Sequence, residues 1–322
     1  MKMKKIILLV TLFMTMVIFT ACQKEEKQKN EINIGYFPNI SHAPAMVGME
    51  KGIFEEVMGD VKVNTASFPN GSLFMDALST EQIDIGYVGP GPVLNRYLQG
   101  GDVIVLANAS VGENVLVARK DLDINDVKDL EGKIVATPST GCTHDLLLRK
   151  MLQEAGIATE ENGGTVKRLV QKPATMIGLF EQKQIDAAVV SEPWASLMEK
   201  QGVVKVVKDA DEVPWKGDLP ATVLVVRKEF LQNNPELVEK FLEGHEKSIA
   251  YINNNQEKIV DIISKDIEKT TDQEIEIDII KNSLERVRFT SELDKGILQE
   301  FADLLKELGF VEGDSSLEGL FN

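Results

Sequence analysis

Two related α/β lobes followed by a helical tail form the fold class this sequence predicts, and three observations predict it. Short apolar stretches alternate with proline-opened or amphipathic stretches from residue 32 to about 227. That is the pattern of parallel strands with helices on both sheet faces. The alternation also repeats. Gln82-Ile83-Asp84 and Val88 match Gln184-Ile185-Asp186 and Val190 at one constant offset, and a strand–Pro38–polar loop–helix run parallels a strand–Pro138–polar loop–helix run at nearly the same offset. Finally, the composition changes after residue 228, where the periodic stretches read as helical.

In chain order, Lys2, Lys4 and Lys5 precede an almost wholly apolar run over 6–19, and Thr20-Ala21 lead to Cys22. A basic start, an apolar core and small residues before a cut describe a secretory signal over 1–21. The run is shorter than the roughly 20 residues of a spanning helix. Residues 22–31 are polar and unpatterned, a flexible tether.

The first lobe is expected over 32–113, with 223–322 returning to it. Its strands are 32–36, 61–64, 83–87 and 103–106. Its helices are 42–51, closed by Gly52, then 72–77 after Pro69-Asn70-Gly71, then one that opens at Pro90 and ends near Leu98. Residues 114–119 are a connecting strand into the second lobe, expected over 114–222. There the strands are 133–136, 166–170, 185–190 and 203–207. The helices are 127–130, 143–155 before Gly156, 174–180 and 193–200, and 222–226 is the second connecting strand. The tail reads as helices 235–254, 257–265, 272–287 and 293–308. The last carries Ile297, Phe301, Leu304, Leu305 and Leu308 on one face, and a structural role is expected for the tail.

Asp and Glu number 51 against 35 Lys and Arg, a formal net charge of −16. Such a body is repelled by nucleic acid and anionic lipid, and no basic stripe is visible, so no nucleic-acid partner is expected. An anionic ligand would have to be captured by local contacts. Cys22 and Cys142 are the two cysteines, too few for a disulfide framework, and no His/Cys spacing indicates a metal site. No cofactor is expected. A monomer is the default.

The stretches INIGYFPNISHAPAMVGMEKGIF, IDIGYVGPGP, DVKDLEGKIVATPSTGCTHDLLLRKMLQEAGI and IDAAVVSEPWASL resemble the solute-binding proteins of bacterial ABC importers for nitrate, taurine and alkanesulfonates. The resemblance covers about residues 32–235. It implies a type II periplasmic-binding-protein fold: parallel-sheet lobes joined by two hinge strands, closing over a small ligand that is passed to an ABC permease. FTAC is similar to the lipobox of bacterial lipoproteins, with Phe19 where leucine is usual. That implies Cys22 as a lipidated, palmitate-bearing first residue of the mature chain, anchored to the extracytoplasmic face of the cell membrane.

Ligands of open α/β sheets lie beyond the carboxyl ends of the strands. That rule selects loops 37–42, 68–72 and 87–92 in the first lobe and 137–143, 171–173 and 191–194 in the second. A helix N-terminus has N–H groups without intrahelical partners and a partial positive charge, so the polar turn 137–143 is an anion cradle. Ser139, Thr140, Gly141 and Thr143 are its candidate contacts, although Ser139 or Thr140 also suits a plain N-cap. Asn39 and His42 suit ligand contact or the capping of their helix. Gly89 with Pro90 and Gly91 exposes bare backbone, or makes a tight turn. His144 with Asp145 reads as a helix-end pair. Cys142 reads as a small buried residue, or as a thiol with lowered pKa.

Lys172 is the one Lys or Arg in these loops and Glu192 the one acid. A zwitterion would place its anion at the helix N-termini and its ammonium at Glu192, flanked by Trp194. Lobe closure, or an ion pair with Lys172, are the other roles for Glu192. Two rival functions follow. A thiamine-pyrimidine synthase shares the implied fold but needs a His/Cys cluster, and His42, His144 and His245 are the only histidines. No nucleophile triad or carboxylate pair stands out, so no enzyme is expected. The alternative is a binding protein for a thiamine precursor or another small heterocycle, stacked on aromatics among Tyr36, Phe37, Phe68, Tyr87, Trp194 and Trp215.

Overall fold

Among the described residues, eleven strands divide between two sheets. The structure, a computed structural model, describes residues 29–321. The expected signal, Cys22 and most of the tether lie outside the described residues. The tether ends earlier than expected, because Lys29 Nζ pairs with the buried Asp84 carboxylate and Glu31 already opens the first strand.

The strands are β1 (Glu31–Tyr36), β2 (Lys62–Ser67), β3 (Ile85–Val88), β4 (Val103–Gly112), β5 (Val115–Arg119), β6 (Ile134–Thr137), β7 (Lys167–Val170), β8 (Ala187–Val190), β9 (Val204–Lys208), β10 (Pro220–Arg227) and β11 (Val287–Phe289). The first sheet has the order β11-β4-β10-β3-β1-β2 and the second β7-β6-β8-β5-β9. The two superimpose in plan. In each, three parallel strands (β2-β1-β3, β7-β6-β8) are followed by one antiparallel strand, β10 or β5, and then by β4 or β9. The sheets are therefore mixed. The expected parallel core is present, but β5 and β10, the strands that follow the lobe crossings, run against it.

The connecting strands also sit differently. Residues 114–119 pair with β8 and β9 inside the second sheet, and 222–226 fall within β10, paired to β3 and β4 in the middle of the first. The chain crosses between lobes in the short turn at Glu113 and Asn114, and again over 209–219. Neither connecting segment betrays its sheet in sequence, since both are equally apolar and β-branched.

The repeated Gln-Ile-Asp has a structural reason. Asp84 accepts the Asn33 N–H at 2.9 Å just before β3, and Asp186 accepts the Ile134 N–H at 2.9 Å just before β8. Arg227 of β10 pairs with Asp84 at 3.6 Å, and Arg119 of β5 with Asp186 at 3.4 Å. Each acid thus ties a strand start to the antiparallel strand beside it.

Alternation along β1 buries Ile32, Ile34 and Tyr36 in one core with Phe54, Phe241 and Ile252. Each such burial stabilises by roughly 1.5–3 kcal/mol. The tail is not all helix: β11 interrupts the expected 272–287 helix and extends the first sheet antiparallel to β4. Its helices reach both lobes. Pro235–Asn254 packs on Ala43–Glu50, Ile277–Leu284 on Trp194–Lys200, and Lys295–Glu307 on both Pro90–Leu98 and Thr143–Glu154. Among the described residues no helix is long and apolar enough to cross a membrane.

Candidate functional site

The carboxyl ends of all six parallel strands face the gap between the lobes. Phe37 follows β1, Pro69 follows β2 and Gly89 follows β3. Pro138 follows β6, Pro173 lies just past β7, and Ser191 follows β8. All six line one inner cavity of about 40 Å³. Five helices begin at its wall. His42, Asn70, Gly89 and Cys142 are the N-cap residues of Ala43–Glu50, Gly71–Ser79, Pro90–Leu98 and Thr143–Glu154, and Pro173 is the first residue of Pro173–Glu181. Their partial positive ends converge on one place, the arrangement that favours an anion. An outer cleft of about 290 Å³ shares Phe37, Asn39, Pro69 and Pro173 with the cavity and adds Phe68, Lys172 and Trp194. A larger cavity of about 750 Å³ lies behind the crossings around Asp209 and Arg286 and meets none of these six strand ends.

The lobes touch across this gap. Asn39 Oδ1 accepts from Trp194 Nε1 at 3.0 Å, the Ile40 N–H donates to the Glu192 carbonyl at 3.1 Å, and the Gly91 N–H donates to Thr143 Oγ1 at 3.2 Å. Gly91 must be glycine for this approach, because a Cβ there would lie 2.6 Å from Thr143 N and 2.8 Å from the Cys142 carbonyl carbon. The same sequence feature that reads as bare backbone thus also sets lobe-to-lobe distance.

Of the expected contacts, Asn39, His42, Gly89 and Thr143 line the inner cavity, and Asn39, Lys172 and Trp194 line the outer cleft. Lys172 is the only Lys or Arg of either lining. Pro90 is buried as the first residue of its helix and lines neither. Ser139 is buried with its hydroxyl unpartnered among the described residues, beside the cavity rather than on its wall. Thr140 is exposed and turns outward to Arg168, whose Nη1 is 3.4 Å from its hydroxyl. Gly141 donates its N–H to Asp145 Oδ2 at 2.8 Å. The outer half of the expected anion cradle is therefore filled by the chain's own carboxylate, itself bridged to Arg149 and Arg168.

Glu192 corrects the sequence reading most. Its carboxylate is fully buried and accepts from Ser196 N and Oγ, Ser283 Oγ and Arg286 Nη1, the last at 2.6 Å. It faces away from the cavity, and no ammonium has access to it. Arg286 lies 94 residues later in the chain, which is why neighbouring sequence pointed to Lys172 instead.

Glu113 was missed and His144 misread, whereas Cys142 is the small buried residue that one of its two readings expected. Glu113, in the first crossing turn, is the one carboxylate of the cavity wall. It is buried, adopts φ 61°, and accepts the Ser41 N–H at 3.2 Å through Oε2. Burial raises its pKa to about 8, partly opposed by the Ser41 hydrogen bonds. A lone acid between Gly112 and Asn114 in an apolar run was the available signal. His144 is a wall residue rather than only half of a helix-end pair, with Nε2 buried and unpartnered, and burial lowers its pKa to about 4. Cys142 also lines the cavity, but burial and the nearby Asp145 push its thiol up to about 11, so it is no thiolate. His42 is neutral: burial lowers its pKa to about 3, Nδ1 accepts the Phe37 N–H at 3.2 Å, and Nε2 carries the proton. Three of the six candidate aromatics lie elsewhere. Tyr36 donates to Asp266, Tyr87 to His245, and Trp215 to Glu300.

Two α/β lobes with strand ends and helix N-termini gathered on an interlobe cavity define a solute-binding protein of the periplasmic-binding class. The chain belongs to the NMT1-like family, whose sequence profile matches residues 25–264. Two of its relatives are named as binding proteins. The taurine-binding periplasmic protein of Escherichia coli K12 is 30% identical over 219 residues, covering 67% of this chain and 65% of its own. A protein of Brucella abortus strain 2308, named as a binding protein, is 28% identical over 237 residues, covering 73% and 70%. Among solved structures, the alkanesulfonate-binding protein SsuA of Xanthomonas axonopodis superimposes with a TM-score of 0.77 at 17% identity, covering 92% of this chain and 99% of its own. The nitrate-binding protein NrtA of Synechocystis superimposes with 0.78 at 19% identity, covering 89% and 83%. These two show the fold.

Proposed function

We propose that this protein is the extracytoplasmic receptor of an ABC importer and captures a small oxyanion of the sulfonate type. The convergence of five helix N-termini on one cavity, with neutral His42 and a single lysine at the rim, carries the reading. The similarity to a taurine-binding protein supports it. A cavity of about 40 Å³ holds few atoms beyond a water or two, so entry requires the lobes to part. The two short crossings are the natural hinge. Closure over the solute would then present a single shape to the permease. Lipidation of Cys22 would hold the monomeric receptor at the membrane, and its substitution by alanine should release the protein from the membrane fraction.

Calorimetric titration with taurine, ethanesulfonate and nitrate tests the ligand class. Binding of at least one, with none for a pyrimidine, is expected. The reverse result would assign the site to a heterocycle, for which Phe37, Phe68 and Trp194 of the outer cleft supply the stacking surface.

A further inference from the structure

We propose that Glu113 is the counter-charge for an ammonium group, so that the solute is a small zwitterion with its oxyanion at the helix N-termini and its amine at the hinge. This rests on the solute-binding reading above and specifies its substrate class.

The placement of Glu113 is costly on two counts. A non-glycine residue with φ 61° is uncommon and strained. A buried carboxyl is penalised unless something compensates its charge. Glycine or asparagine would remove both costs. The fold compensates through Ser41 alone: its N–H donates to Oε2, and its side chain also favours the charged form. No Lys or Arg of either lining approaches it as an ion-pair partner; Lys172 stands on the outer cleft. By contrast Glu192, the nearest other acid in the Coulombic sense, is held by Arg286 and two serines.

The cavity wall around Glu113 is polar and incompletely paired. Ser191 Oγ and His144 Nε2, both on wall residues, are buried without partners among the described residues. They suit the oxyanion as hydroxyl and imidazole donors, alongside the helix N-terminal N–H groups. Glu113 is the only side chain of this wall that can carry a negative charge to match a cation. The wall is thus dipolar, with donors at Ser191 and at the helix starts and one carboxyl in the crossing turn between the lobes. An oxyanion without an amine would leave that buried carboxyl without a partner of opposite charge. An aminoalkyl sulfonate satisfies both ends.

The test compares taurine with ethanesulfonate, which keeps the sulfonate and lacks the amine, by calorimetry on the whole protein. The wild type should bind taurine at least tenfold more tightly. Glu113→Gln, which keeps an oxygen for the Ser41 N–H, should lose that preference, weakening taurine tenfold or more and ethanesulfonate less than threefold. Binding an ammonium must also drive off any proton on Glu113. Titrations at pH 7 in two buffers of different ionisation enthalpy should show proton release with taurine, none with ethanesulfonate, and none in Glu113→Gln. A purely structural Glu113 would not give that release. The wild-type preference and proton count stand even if the variant folds poorly. Equal affinity of the wild type for both sulfonates, without proton release, would overturn the zwitterion while leaving the anion site intact. No binding of either sulfonate would overturn both readings.

Discussion

Arg286 Nη1 lies 2.6 Å from Glu192 Oε1, joining the residue ahead of β11 in the first sheet to the second lobe behind the cavity. The same guanidinium holds Asp209, at the start of the second crossing, at 2.7 Å. Removing it leaves a fully buried carboxylate without its counter-ion. Arg286→Ala should therefore cost about 3–5 kcal/mol in urea unfolding. Glu192→Gln, which keeps its contacts to Ser196 and Ser283, should cost less. A loss under 1 kcal/mol for Arg286→Ala would show that the pair is solvated in solution.

Gly91 and Thr143 meet across the gap, with no room for a methyl group between them. Gly91→Ala should hinder closure while leaving each lobe folded. Solute affinity is expected to fall at least tenfold, about 1.4 kcal/mol, with the urea midpoint nearly unchanged and a larger radius of gyration in the presence of solute. Unaltered affinity would place closure at other contacts.

Protonation makes the stability curve slope in two directions. Glu113 has a folded pKa near 8 against an ordinary 4.5, so its folded form holds the extra proton. The resulting contribution is full below pH 4.5 and is lost as pH rises through 8, by up to about 1.4 kcal/mol per pH unit within that window. His42, lowered to about 3, and His245, lowered to about 4, act oppositely. Their contribution is full above pH 6.5 and is lost as pH falls through those values. Glu113→Gln should flatten the neutral limb of a urea-midpoint profile and leave the acid limb; an unchanged neutral limb would mean the carboxyl ionises freely.

Asp84 and Asp186 occupy matching places, yet Asp84 is fully buried and Asp186 is 18% exposed at its side chain. Asp84 also receives Asn33 Nδ2 and Lys29. Alanine at Asp84 should cost roughly 2–4 kcal/mol and at Asp186 roughly 1–2, from the partners left unpaired in each case. Equal losses would indicate that the backbone bond each acid accepts is the whole effect.

The parallel trios, their helices and the loops at the strand ends were legible because each rests on local periodicity and turn residues. Whether 114–119 and 222–226 bridge the lobes or join a sheet depends on pairing partners more than a hundred residues apart in one case, and local pattern is silent there. The site was half legible. Asn39, His42, Gly89 and Thr143 follow from strand ends, whereas the direction in which Thr140 and Glu192 point is decided by Arg168 and Arg286 from distant segments. Glu113 escaped notice because β4 runs six residues past the expected 103–106, so the residue beyond its true carboxyl end was not among the selected loops.

The position of β10 governs the order of assembly. All five strands of the second sheet come from one uninterrupted segment, 115–208, whereas the first sheet needs β10 inserted between β3 and β4 and β11 added from far downstream. A chain emerging from its amino end cannot finish the half it began first. The later, self-contained half has the shorter loops to close and should acquire structure sooner. Pulsed hydrogen exchange during refolding should thus protect Val135 and Val189 amides before those of Ile34 and Tyr87, and the receptor would mature from its inserted part outward.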